Sequence, residues 1–233
     1  MGKITLETKD LKKVYVDTAG NRNTVFENLF LRFESGKMYA IFGPSGCGKS
    51  TLLNLLGLLD KPNFGQVIIG GKMTGLLAPN DMAGLRRDYI GFVFQDHYMN
   101  PKLNVKENLE MPMRINKKIK KSEYESRCRE LLALFGMEEY LFRYPDELSG
   151  GEQQRACIAR ALVNDPMVIL ADEPTGNLDE DNEKIVAEYL KSLTARDKTV
   201  IVVTHNEAVR AYADVVYNMR KGKMEEFFQI NMK

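Results

Sequence analysis

The chain of 233 residues carries 33 Lys and Arg against 32 Asp and Glu, a formal net charge of +1. That balance argues against a protein that coats nucleic acid or anionic lipid, because such binders need a cationic excess. Hydrophobic residues at 44 % and charged residues at 28 % argue against wholesale disorder and supply a core that needs no staples.

Along the chain, Ile4–Leu6, Thr24–Phe33 and Gln66–Ile69 alternate or cluster β-formers, with Gly20-Asn21 and Gly70-Gly71 as turns. Met38–Phe42 predicts a buried strand that enters a glycine-rich loop, and Lys49–Leu59 then reads as a helix. Ile90–Phe94 is a further strand candidate. From about Asn104 to Val163 the periodicity becomes helical, with Ser122–Phe135 and Glu152–Val163 as helices and Pro145 and Gly150-Gly151 as punctuation. The last third alternates again. Met167–Ala171, Thr199–Thr204 and Val215–Met219 predict strands, and Asp179–Leu193 and Glu207–Tyr212 predict helices. This order indicates a mostly parallel α/β sheet with an all-helical insert. No apolar run approaches the roughly 18 residues of a bilayer span, since even Leu52–Leu59 is interrupted by Asn54. The N-terminus lacks the apolar core of a secretory signal. Cys47, Cys128 and Cys157 offer neither a disulfide frame nor metal-ligand spacing, so the chain reads as soluble, reduced and cytosolic.

The strongest local signal is Gly43-Pro44-Ser45-Gly46-Cys47-Gly48-Lys49-Ser50, a full match to the phosphate-loop pattern between a predicted strand and a predicted helix. Glycines let backbone N–H groups turn toward phosphate oxygens, and the helix N-terminus adds a favourable dipole. Lys49 supplies a cation to the β- and γ-phosphates, and the Ser50 hydroxyl is a hard ligand for Mg²⁺. Cys47, with no partner cysteine nearby, reads as a small loop residue whose backbone meets phosphate.

Met167–Ala171 runs into Asp172 and Glu173. Strand C-termini of a parallel sheet face the ligand crevice, which would place both carboxylates beside the phosphates. Asp172 suits Mg²⁺, and Glu173 suits orienting or deprotonating a water. Without the upstream loop, the same residues would read as a solvated turn before Pro174. Ser149 with Gly150 and Gly151 opens a helix. It can be an anion-binding start, a capping box with Glu152, or both.

The order of the phosphate loop, Gln95, Leu148-Ser-Gly-Gly-Glu-Gln153, Asp172-Glu173 and His205 resembles the ATP-binding-cassette (ABC) ATPases across essentially the whole chain. The resemblance implies one domain: a phosphate-loop NTPase core with an N-terminal antiparallel β-subdomain (1–95 and 164–233) and an inserted helical subdomain at about 96–163. It implies ATP and Mg²⁺ as cofactors and a head-to-tail pairing of two copies. Ser149, Gly150, Gly151, Glu152 and Gln153 would then complete the partner's ATP site, with Asp179 crossing the interface. Gln95 would reach the metal and the attacking water, His205 the γ-phosphate and Tyr15 the adenine, while Thr51, after Ser50, would also bind the nucleotide. Taken alone, Gln95 reads as a turn residue, His205 as structural, Asp179 as a helix cap and Tyr15 as core.

Gly57-Leu-Leu-Asp60, Leu85-Arg-Arg87 and Asp172-Glu-Pro-Thr-Gly-Asn-Leu-Asp179 look like the macrolide-exporter and lipoprotein-release type. The resemblance implies an integral membrane permease as partner, no nucleic acid, and a cytoplasmic place on the inner face of the membrane held through that permease. A mechanotransmitting cassette of the cell-division type would have the same motifs. A nucleic-acid machine of the superfamily would need a second unit or a long coiled coil, and a simple kinase would not need Ser149–Gln153.

Overall fold

The computed structural model describes residues 2–228. In chain order the elements are β1 (Ile4–Val16), β2 (Arg22–Leu29), β3 (Arg32–Glu34), β4 (Met38–Phe42), α1 (Lys49–Leu56), β5 (Phe64–Ile69), β6 (Lys72–Met73), α2 (Pro79–Tyr89) and β7 (Ile90–Val93). There follow α3 (Val105–Arg114), α4 (Tyr124–Ala133), α5 (Gly150–Leu162), β8 (Val168–Asp172), α6 (Glu180–Ser192), β9 (Thr199–Val203), α7 (Glu207–Tyr212), β10 (Val215–Arg220) and β11 (Lys223–Phe228). Short 3₁₀ turns join the helices of the insert.

Two sheets result. The first has the order β2-β1-β5-β6, with β3 also paired to β1, and is antiparallel throughout. The second has the order β11-β10-β4-β9-β8-β7 and is parallel except for the antiparallel edge strand β11. Its central strands β4 and β9 are buried at every position, as expected when both faces are covered. Alternation sorts their side chains into two cores. Met38, Ala40, Ile169, Ala171, Val200 and Val202 pack with α3–α7, whereas Tyr39, Ile41, Val168, Leu170, Ile201 and Val203 pack with α1 and the antiparallel sheet.

Several boundaries differ from the sequence expectation for identifiable reasons. The strand expected at Thr24–Phe33 is two strands. Asn28 takes a left-handed φ of 53°, and the Leu31 N–H turns to the Thr8 hydroxyl. The helix expected to reach Leu59 stops at Leu56, where Leu58 is left-handed. α2 and β11 lie where the sequence predicts no element. The three cysteines are free, and burial pushes the Cys128 thiol up to about 12. Among the described residues no helix is long and apolar enough to cross a membrane.

Candidate nucleotide site

Four neighbouring parallel strands deliver their carboxyl ends to one rim. β4 ends in the glycine-rich loop, β9 leads to His205, β8 ends at Asp172-Glu173, and β7 leads to Gln95. This is where ligands bind on open α/β sheets. A cleft of 580 Å³ opens there, lined by Ser45, Gly46, Gly48, Lys49, Ser50 and Thr51, by Gln95, Asp172, Glu173 and His205, and by Tyr15. A larger open cleft of 1460 Å³ lies between the antiparallel sheet and β10–β11. It has neither a glycine-rich loop nor a helix start, so the smaller cleft is the candidate nucleotide site.

The loop's conformation depends on glycine. Gly48 has φ 105°, and a Cβ there would overlap the Val25 side chain. Lys49 Nζ donates to the carbonyls of Gly43 (2.8 Å) and Pro44 (3.3 Å), which leaves one ammonium proton for a further acceptor. Gly43, Pro44 and Cys47 form the back of the loop and do not line the cleft. The Cys47 N–H is engaged within the loop by the Pro44 carbonyl.

Ser50 Oγ donates to Asp172 Oδ1 at 3.3 Å. Burial, with Glu173 alongside, holds the Asp172 carboxyl above the usual carboxylate range despite Ser50 and Lys49. A buried acid pushed in that direction is one that a cation would relieve. Glu173 sits just past the strand at φ 44° with its carboxylate mostly buried. It accepts from the His205 backbone N–H (3.3 Å) and lies 3.0 Å from His205 Nδ1. A carboxylate can only accept, so this contact favours the tautomer with its proton on Nδ1, on an imidazole that is largely exposed. Tyr15 is half exposed, with its hydroxyl on Asp60 (3.1 Å) and Lys13 above its ring.

Ser149 caps α5 by accepting from the Glu152 N–H, and Glu152 returns bonds from the Ser149 N–H (2.7 Å) and hydroxyl (2.8 Å). Those bonds hold the Glu152 carboxyl below its ordinary range. Asp179 caps α6 through the Asn182 N–H and binds the Asn182 carboxamide. A Cβ on Gly151 would overlap that same carboxamide, so the two helix starts meet there. Neither Ser149–Gln153 nor Asp179 lines the 580 Å³ cleft. Phe94, Asp96, Tyr98, Asn23 and Val25 do line it. The first three could have been found from their closeness to Gln95, whereas nothing in the sequence marks the β2 residues.

Residues 26–176 match the family model described as "ABC transporter", more than half of the chain. The chain belongs to the ABC transporter family. It is 38 % identical over 225 residues to the lipoprotein-releasing system ATP-binding protein LolD of Hyphomonas neptunium, covering 96 % of this chain and 98 % of that one. It is 40 % identical over 226 residues to the macrolide export ATP-binding/permease protein MacB 2 of Aeromonas hydrophila, covering 97 % of this chain and 35 % of the relative. The cassette thus spans about a third of the length of the macrolide-export relatives it matches. Among solved structures, the cassette MJ0796 in a dimeric post-hydrolysis state bound to ADP and Pi superposes with a TM-score of 0.85. The identity is 36 %, covering 95 % of this chain and 98 % of that one. The fold is that of an ABC ATPase, and the protein is an ATP-binding cassette with ATPase activity.

Proposed function

We propose that this cassette is the ATP-hydrolysing subunit of a membrane complex. Two copies close head to tail over two ATP molecules, and closure drives a separate integral permease of the macrolide-export or lipoprotein-release type. One observation carries the reading. The phosphate loop, Asp172, Glu173, Gln95 and His205 share one cleft, whereas the capped glycine start at Ser149–Gln153 and Asp179 stand together outside it. A second copy would bring the latter group over the nucleotide. MJ0796, solved as a dimer, supports the pairing. LolD and the MacB proteins, named for lipoprotein release and for export with a fused permease, support the membrane partner. Met111, Ile115 and Phe142, exposed large apolar side chains of the helical insert at about 96–163, would be available to that partner, and docking on it would hold the cassette on the cytoplasmic side.

Mg²⁺ fits the donor set. Ser50 and Asp172 are hard oxygen donors already in contact, and Mg²⁺ characteristically takes few protein ligands beside phosphate oxygens and water. Among the described residues no cluster of three or more His, Cys, Asp or Glu side chains could hold an ion without a substrate. The ion would neutralise charge on the phosphates. The chain's own groups do the rest. Loop amides and Lys49 hold the β- and γ-phosphates, and Ser149 of the other copy donates to the γ-phosphate. Tyr15 supports the base. Glu173 takes a proton from the attacking water as its oxygen bonds to the γ-phosphorus and the β–γ bridging oxygen departs with ADP. His205 holds the Glu173 carboxylate through its backbone N–H and Nδ1.

Two measurements test this. Phosphate release from ATP by the purified cassette should stop when EDTA removes divalent cations and return on adding excess Mg²⁺. Full activity in EDTA would remove Ser50 and Asp172 as metal ligands. Ser149→Arg should lower turnover by about a hundredfold or more. Labelled-ATP binding to the monomer should stay within about threefold of wild type, since Ser149 lies outside its own cleft. An equal loss of monomer binding would sink the two-chain site.

A further inference from the structure

The turn after Gln95 is held in a conformation that its own residues disfavour. His97 (φ 55°) and Tyr98 (φ 47°) are both left-handed, although each carries a Cβ. A local bond, from the Tyr98 N–H to the Asp96 carbonyl, does not explain two such residues in succession. The remaining support comes from one stripe of α5. Gln153 meets the His97 side chain. The Cys157 thiol donates to the His97 carbonyl at 2.9 Å. Arg160 forks across the turn, with Nη2 on the His97 carbonyl (2.7 Å) and Nη1 on the Tyr98 carbonyl (2.6 Å). Positions 153, 157 and 160 fall on one helical face. Burial keeps the Cys157 thiol protonated, with its pKa pushed up to about 11, so it can only donate here. The Arg160 bonds are charge-assisted and two-pronged, which a lysine cannot reproduce.

The clamped turn borders the site directly. The Tyr98 ring meets Phe94 edge-on at 5.4 Å, and Phe94, Gln95 and Tyr98 all line the nucleotide cleft. Gln95 is therefore suspended between the end of β7 and a turn whose two carbonyls belong to Arg160. We propose that Arg160, assisted by Cys157, is a positioning residue for ATP hydrolysis: by gripping the His97 and Tyr98 carbonyls it holds Gln95 in the cleft. The proposal rests on the reading of Gln95 as a site residue. It also makes α5 a shared support, since the same helix begins with the Ser149–Gln153 start offered to the other copy's nucleotide.

The test is a double-mutant cycle on the full chain, comparing Arg160→Met, Arg160→Lys, Gln95→Ala and the Gln95→Ala/Arg160→Met pair in steady-state ATP hydrolysis and labelled-ATP binding. Arg160→Met should lower kcat by about tenfold or more, because small displacements of a positioning group are costly. KM for ATP and nucleotide affinity should stay within about threefold. Arg160→Lys should fall between the two, and the double variant should be no slower than Gln95→Ala alone, since no glutamine is left to position. Additive losses in the double variant would overturn the clamp and leave Arg160 a merely structural residue, as would a defect confined to KM. Wild-type turnover in Gln95→Ala would overturn the Gln95 assignment, and the catalytic meaning of the clamp with it. Should Arg160→Met fail to fold, the same cycle built on Arg160→Lys separates the same outcomes.

Discussion

Replacing Glu173 by glutamine is expected to lower ATP turnover by about a thousandfold while ATP binding survives. The carboxylate is mostly buried at the end of β8, held by the His205 backbone N–H and Nδ1. Glutamine has the same shape and can still accept the backbone bond, so the strand end and phosphate loop should keep their geometry. What it cannot do is take a proton from water. The exchange also removes one of two adjacent negative charges, the one that helps hold the Asp172 carboxyl above its usual range. With less repulsion toward the nucleotide's own charge, the ATP-bound closed pair should accumulate. Phosphate release, labelled-nucleotide binding and size-exclusion chromatography with ATP check the three parts separately. The chain has no tryptophan, so the label is necessary. Glutamine turning over at the wild-type rate would remove Glu173 as the base.

Lys49→Ala should act at the other step and weaken ATP affinity by about a hundredfold, the scale of losing a hydrogen bond to a charged partner. The ammonium already bonds the Gly43 and Pro44 carbonyls, so its loss removes a brace across the loop together with the proposed phosphate ligand. Labelled-ATP titration reads the affinity, and thermal unfolding reads any loosening of the loop. Unchanged binding and turnover would refute the assignment. Together the two variants separate binding from chemistry. Lys49→Ala should fail to hold ATP, and Glu173→Gln should hold it without consuming it.

The phosphate loop is legible in the sequence because its residue types and its strand–loop–helix context agree, and the structure supplies both. The central strands are legible as short apolar runs because both of their faces are covered. The long β1 is visible only at Ile4–Leu6. It changes register at several points, with Asp10 in a left-handed conformation, so its later residues keep no simple alternation. α2 escapes a sequence reading because only Leu85 among its residues is buried, which leaves almost no periodic signal. β11 is an edge strand interrupted by Glu225-Glu226, a pattern that resembles a surface loop. Within the site, residues of recognisable chemistry can be named in advance. The grip of Arg160 on the turn beyond Gln95 cannot, because its acceptors are backbone carbonyls and leave no mark in the sequence.

The alternation that sorts each central strand into two cores has a further consequence. The parallel sheet acts as a wall with separately furnished sides. Odd-numbered Tyr39, Ile41, Ile201 and Val203 face the antiparallel sheet and α1, and even-numbered Met38, Ala40, Val200 and Val202 face the layer of α3–α7. A change of side-chain volume on one side is felt there first, because the partition itself is backbone. Substitutions in the core on the α3–α7 side would therefore leave the packing of α1 behind the phosphate loop in place.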